Sequence, residues 1–148
     1  MRTSKSIQSV ELTTIAHATD DLEKVQTALF HLLPETLRGR QLFTRKYLLG
    51  HFDNPIVTFS ARLTDGSEVE ECSNFLLHQL TRGDLLTIVS ELNLHTDVDG
   101  NLYFRIDKQS AFLGKIRLSD SDPIRVRLKF TRFGGDINTL IKNFLEST

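Results

Sequence analysis

The chain has 148 residues, a net charge of −1, 39% hydrophobic residues and 25% charged residues. Those figures suit one ordinary soluble globular domain with a core of useful size and exclude a polycation. Cys72 is the only cysteine, so no internal disulfide exists, no stretch approaches the ~18 apolar residues of a membrane span, and the opening MRTSKSIQSVE lacks the apolar core of a secretory leader.

Residues 7–18, IQSVELTTIAHA, read as a strand with Val10, Leu12, Thr14, Ala16 and Ala18 on one face. Residues 20–33 read as a helix, with Leu22, Val25, Leu29, Leu32 and Leu33 at helical spacing, Asp20 as the N-cap and Pro34 as the stop. Residues 41–51 and 56–63 alternate again and are joined by FDNP, which predicts an antiparallel hairpin. A second helix starts at Ser67, whose SEVE is a capping box. TRGD (81–84) breaks it, and Asp84 is read as the cap of a shorter helix through Leu92. DVDGN (97–101) reads as a turn. Strands are expected at 101–107, around 115–118 and at 124–131, with a last helix opened by GGD (134–136) and running through Glu146. The order β-α-β-β-α-α-β-β-β-α predicts an α+β domain: a mostly antiparallel mixed sheet with helices packed on one face and the other face in water.

Charge is segregated along the chain. Residues 101–132 hold eight basic and three acidic groups, a net of +5, against −6 for the rest. In DPIRVRLKF, the apolar Ile124, Val126, Leu128 and Phe130 alternate with Arg125, Arg127 and Lys129. Lys115 and Arg117 repeat the pattern upstream around Ile116. A strand built this way has one apolar and one cationic face. A basic row is commonly just a wetted surface. Here no acid occupies the alternate positions of 124–130, and like charges on a strand repel unless an anion neutralises them. Arginine also suits phosphate forks better than lysine does. Lys115, Arg117, Arg125, Arg127 and Lys129 are therefore the candidate phosphate contacts, flanked by Arg105, Lys108 and Arg132. Arg45 and Lys46 extend the patch if the first hairpin pairs nearby, and Tyr47, Phe52, Tyr103 and Phe133 are candidates for base stacking.

Catalytic and metal motifs are absent. FGG (133–135) lacks the Lys-Ser/Thr of a phosphate loop, and DVDGN lacks the bidentate Glu of a calcium loop. His17, Asp20, His31, His51 and Asp53 have no spacing that marks a metal site, and His78 and His95 have no partner in sequence. Cys72 falls on the buried side of its helix and reads as a core residue. No cofactor, metal or catalytic residue is assigned. His17 and Asp20 are read as fixing the strand-to-helix junction.

Four stretches in order, HATDDLEKVQTALFHLLP (17–34), LLGHFDNPI (48–56), NLYFRIDKQSAFLGKIRL (101–118) and DPIRVRLKF (122–130), resemble archaeal proteins described as predicted RNA-binding proteins or exosome subunits. The family's HATED is HATDD here, and its GHHGNPI is GHFDNPI. The resemblance implies a fold similar to the large-subunit ribosomal protein that binds 5S rRNA. It also implies RNA as partner, beside the exosome or ribosomal components.

The expectation is a non-catalytic, cytoplasmic RNA-binding protein that recognises RNA backbone or shape, with structured RNA as its partner and no membrane. An exposed sheet edge could support a homodimer. The competing expectations are a subunit whose basic face meets an acidic protein, and a small hydrolase using the histidines with Asp53.

Overall fold

Val10, Leu12, Thr14 and Ala16 lie two residues apart on β1 (Ile7–Ala16), and all four are buried. β1 is the middle strand of the sheet because it pairs on both edges, with one neighbour on each side. In a computed structural model that describes residues 7–97, 99–130 and 139, five antiparallel strands follow the order β2-β3-β1-β5-β4. The other strands are β2 (Thr44–Leu49), β3 (Pro55–Leu63), β4 (Leu102–Asp107) and β5 (Pro123–Phe130). The inner faces of β3, β4 and β5 contribute Phe59, Leu63, Phe104, Ile106, Ile124, Val126 and Leu128 to one core.

Helices α1 (Leu22–Phe30), α2 (Glu35–Arg38), α3 (Gly66–Gln79) and α4 (Arg82–Ser90) close that core from one side, through Val25, Leu29, Leu37, Val69, Cys72, Leu76, Leu85 and Ile88. Each large side chain buried in this way contributes roughly 1.5–3 kcal/mol. The α+β architecture with helices on one face is as the alternating patterns require.

Several boundaries differ from the sequence reading, for local reasons. Asp21, not Asp20, caps α1 by accepting from Glu23 N. Asp20 instead accepts from His17 N at 2.8 Å and closes the turn before it. Asp65, not Ser67, caps α3, accepting from Ser67 N and Glu68 N. Thr81, not Asp84, caps α4, and the Asp84 carboxylate accepts from Leu118 N at 3.1 Å. α1 stops at Phe30, and Pro34 opens α2 rather than ending α1. The stretch at 115–118 is no regular strand. It meets β4 through a single bridge, Ile106 to Leu118. Lys108, expected to flank the basic strands, lies on a short helix, α5 (Lys108–Phe112), capped by Asp107. The predicted last helix, with Arg132 and Phe133, lies outside the described residues.

The shifted cap on α3 has a direct test. Asp65→Ala should lower stability by about 1 kcal/mol in urea denaturation, whereas Ser67→Ala should change it by a few tenths at most.

Candidate nucleic-acid interface

Strand pairing arranges the solvent face of the sheet in transverse rows. One row runs Thr44, Ser60, Thr13, Arg125, Arg105 from β2 to β4. The next runs Arg62, Glu11, Arg127, Tyr103 from β3 to β4. On the other side of the first row lie Lys46, Thr58 and Ile15. Lys46 thus joins this face. Arg45 points the opposite way, over the Phe59 ring and hydrogen-bonded to Gln26 of α1.

The two arginine rows differ in their neutralisation. Arg127 sits opposite Glu11, with Nη1 3.4 Å from Oε2, and its Nη2 lies 3.9 Å from Asp97 Oδ2. Arg62 approaches the other oxygen of Glu11 at 3.6 Å. The acid missing from the alternate positions of β5 is thus supplied by β1. Asp97 is itself fixed by Asn101, whose side-chain amide donates to one carboxylate oxygen while the backbone N–H groups of Asn101 and Asp99 donate to the other. Those hydrogen bonds, Asn101's foremost, with Arg127 adding to them, hold the Asp97 carboxyl below the usual carboxylate range.

Arg125 stands directly opposite Arg105. Among the described residues Arg125 has no carboxylate within 4.0 Å, and Arg105 meets only Asp120, at 3.6 Å and fully in solvent. Arg117 lies across from Asp107, whose N–H donates to the Arg117 carbonyl at 2.8 Å, while Ser119 lies across from Arg105. Lys129 is half-buried, and its neighbour Ser9 is fully buried. Lys115 is exposed on the loop after α5. The structure therefore brings Arg125, Arg105 and Arg127 together and places Arg117 beside them. Lys115 and Lys108 lie apart from that centre.

Lys108 is committed to holding the fold. Its ammonium lies 3.1 Å from both Asp122 oxygens, 2.8 Å from the Ile15 carbonyl and 3.9 Å from Asp20. His17 Nε2 is 3.5 Å from the same Asp122 carboxylate. His17, Asp20 and Asp122 offer ligand atoms within 4.8 Å of one another. Lys108 already supplies the positive charge there, so the cluster reads as a junction tying β1, α5 and the start of β5. Asp122 had no signal in the sequence; in the fold a left-handed backbone, φ 45°, accompanies its contacts with Lys108 and His17.

His31, His78 and His95 make local contacts, His78 with its Nδ1 2.7 Å from the Asn74 carbonyl. His31 Nδ1 is 2.6 Å from the Ala111 carbonyl and links α1 to α5, while His95 Nδ1 is 3.0 Å from the Tyr103 carbonyl. The side chain of His51 lies outside the described residues. Cys72 is fully buried, and burial, with Glu71 nearby, pushes its thiol up to about 12. A thiol so firmly protonated is no nucleophile at neutral pH. Of the stacking candidates, Tyr103 lies on the open face beside Arg127, its hydroxyl donating to the Thr96 carbonyl at 3.3 Å. Tyr47 lies on the opposite face, in register with Val57, and Phe52 projects from the hairpin tip, 89% exposed.

A family described as RNA binding matches residues 9–130, the whole span of the five strands apart from the first two residues of β1. The chain belongs to this family. Its relatives include the RNA-binding protein PAB1135 of Pyrococcus abyssi, 32% identical over 127 residues that cover 84% of this chain and 82% of that one. The uncharacterised protein MJ0213 of Methanocaldococcus jannaschii is 30% identical over 120 residues, 80% of each chain. Among solved structures, AF2318 of Archaeoglobus fulgidus, a DUF54 protein, superposes with a TM-score of 0.75 at 30% identity, covering 96% of this chain and 99% of that one. SSO0741 of Sulfolobus solfataricus, also DUF54, shares the fold with a TM-score of 0.79 at 20% identity, over 94% and 98% of the two chains. The RNA-binding family and the α+β fold inferred from the sequence are thus both found, and a general RNA-binding role goes with the family.

Two outcomes test these assignments. Lys108→Met leaves Asp122, Asp20 and the Ile15 carbonyl without their shared donor, and should cost about 1–3 kcal/mol in urea denaturation. The lowered Asp97 carboxyl contributes stability that is full above its unfolded pKa and lost as pH falls through the folded value. Asn101→Ala should therefore raise the Asp97 pKa in an NMR titration and move the onset of acid unfolding to higher pH.

Proposed function

We propose that the chain binds RNA through the open face of its sheet without catalysing a reaction, and that it reads backbone or shape rather than base sequence. The opposed pair Arg105 and Arg125 carries this proposal. Two guanidinium groups directly across a strand pair repel each other, and no carboxylate of the described residues neutralises Arg125. A phosphate placed between them removes that repulsion and takes two arginine forks at once. Arg117 lies on one side of this pair and the Glu11-paired Arg127 on the other, and Lys46 stands at the far edge of the face. Phosphates along a structured RNA meet such a surface with release of counterions.

The resemblance found in the sequence suggests a setting in RNA processing or decay beside the exosome, or in work on the ribosome. A cytoplasmic location agrees with the single reduced cysteine and with the absence, among the described residues, of a helix long and apolar enough to cross a membrane. A homodimer joined along β2 is compatible with its six exposed side chains.

Arg125→Glu tests the proposal with least disturbance to the fold. Arg127→Glu is a poorer choice, because it sets a third carboxylate beside Glu11 and Asp97. In filter binding with a stem-loop RNA and a single-stranded oligomer, Arg125→Glu should weaken retention by about tenfold or more. It should also lower the salt slope by about one and leave the thermal midpoint nearly unchanged. Retention equal to that of the unaltered protein would refute the assignment of this face. Polyglutamate competing as well as RNA would favour an acidic protein partner instead.

A further inference from the structure

The open face carries a second feature, at its His17 end. A hollow of about 210 Å³ lies there, lined among others by Thr13, Ile15, Thr58, His17, Asp122 and Arg125. Its two ends have opposite character. Arg125, at one end, has no carboxylate partner among the described residues. Asp122, at the other, is an acceptor-only carboxylate that already meets Lys108 and His17. Between them stand two half-buried threonines, and neither hydroxyl has a hydrogen-bond partner among the described residues. Thr14 and Thr44, close by, spend theirs on the Pro123 carbonyl and on Ser60. Ile15, 41% exposed, adds an apolar wall.

A free phosphate fits this hollow badly, because the Asp122 carboxylate repels it. A group that is anionic at one end and a hydroxyl donor at the other fits both ends. A ribose phosphate is such a group: its phosphate meets the Arg125 fork, its carbon face lies on Ile15, and its 2′-hydroxyl meets Thr13, Thr58 or Asp122 as donor and acceptor. Deoxyribose offers nothing to those oxygens. We infer that this hollow is a ribose-phosphate subsite whose threonine hydroxyls and Asp122 read the 2′-hydroxyl, so that the protein distinguishes RNA from DNA by direct contact. The inference rests on the proposed RNA-binding role of the open face. It adds the sugar as the group recognised.

The test compares three probes at one salt concentration by fluorescence anisotropy: a mixed-sequence stem-loop RNA, its DNA counterpart and its fully 2′-O-methylated counterpart. The methylated strand keeps the A-form shape but has no 2′-hydroxyl to donate. The RNA should bind about tenfold more tightly than either of the others. Methylated RNA bound as tightly as the unmodified strand would overturn direct reading in favour of shape, and DNA bound as tightly as RNA would overturn the subsite. Thr13→Val with Thr58→Val keeps the β-branched outline of both side chains. It should bring RNA affinity to within about threefold of DNA's and leave DNA affinity unchanged. A preference for RNA undiminished in that variant counts equally against the subsite. If the unaltered protein binds none of the three probes, the role of the whole face fails and this inference with it. Equal, tight binding of all three removes only the subsite.

Discussion

A strand buried on one face cannot slide by one residue without turning its whole side-chain set over. β1 lies under that constraint on both edges. Its core-facing Val10, Leu12, Thr14 and Ala16 are locked beneath the helices, and its partners on either side are fixed residue by residue. Slipping β5 by one position would carry Arg125 and Arg127 into the core and expose Val126 and Leu128. Uncompensated buried charges cost several kcal/mol each, and each exposed aliphatic forfeits roughly 1.5–3 kcal/mol. Core packing thus holds the guanidinium groups in their places on the far side. The face that meets solvent inherits its geometry from the face that does not.

Charge on that outer face is graded rather than uniform. Glu11 stands between Arg62 and Arg127, so that row is nearly balanced before any ligand arrives. Such exposed pairs contribute little to stability, but they orient the side chains they join. Two residues further along β1, Thr13 replaces the acid, and Arg125 faces Arg105 with only the exposed Asp120 nearby as counter-charge. The alternation of Glu11 and Thr13 on a single strand thereby separates a structural arginine from ones left available to an anion.

The period-two pattern of β1, β3 and β5 was legible in the sequence because a half-buried strand must alternate, and the helices were legible because their apolar residues recur at helical spacing. The caps were ambiguous for a physical reason. Asp20 and Asp21, Asp65 and Ser67, and Thr81 and Asp84 each offer two competent acceptors within three residues. Which one caps depends on where the chain leaves the preceding element. α5 was missed because five residues are too few to show a period. The basic row was legible on β5 alone. Its neutralisation was not, because Glu11 lies 116 residues from Arg127 in the chain and meets it only through strand pairing. Lys108 shows the same limit. Counted by composition it joins the basic segment, yet its ammonium is spent on Asp122 and the Ile15 carbonyl. The departure at Phe52 and Asp53 from the family's GHHGNPI pattern falls on two residues of positive φ, 57° and 59°. A glycine takes that backbone without cost, and the family pattern has one at the position of Asp53.

β2 closes the sheet with six exposed side chains, and no described strand lies beyond it. An uncapped border of this kind is a template for strand addition, and Tyr47 and Leu49, more than two-thirds exposed, make it adhesive. Arg45 and Lys46 stand at the start of this strand, before its apolar Tyr47, Leu48 and Leu49. Any strand that adds to the sheet at this margin does so with β2, β3 and β1 between it and the arginines of β5.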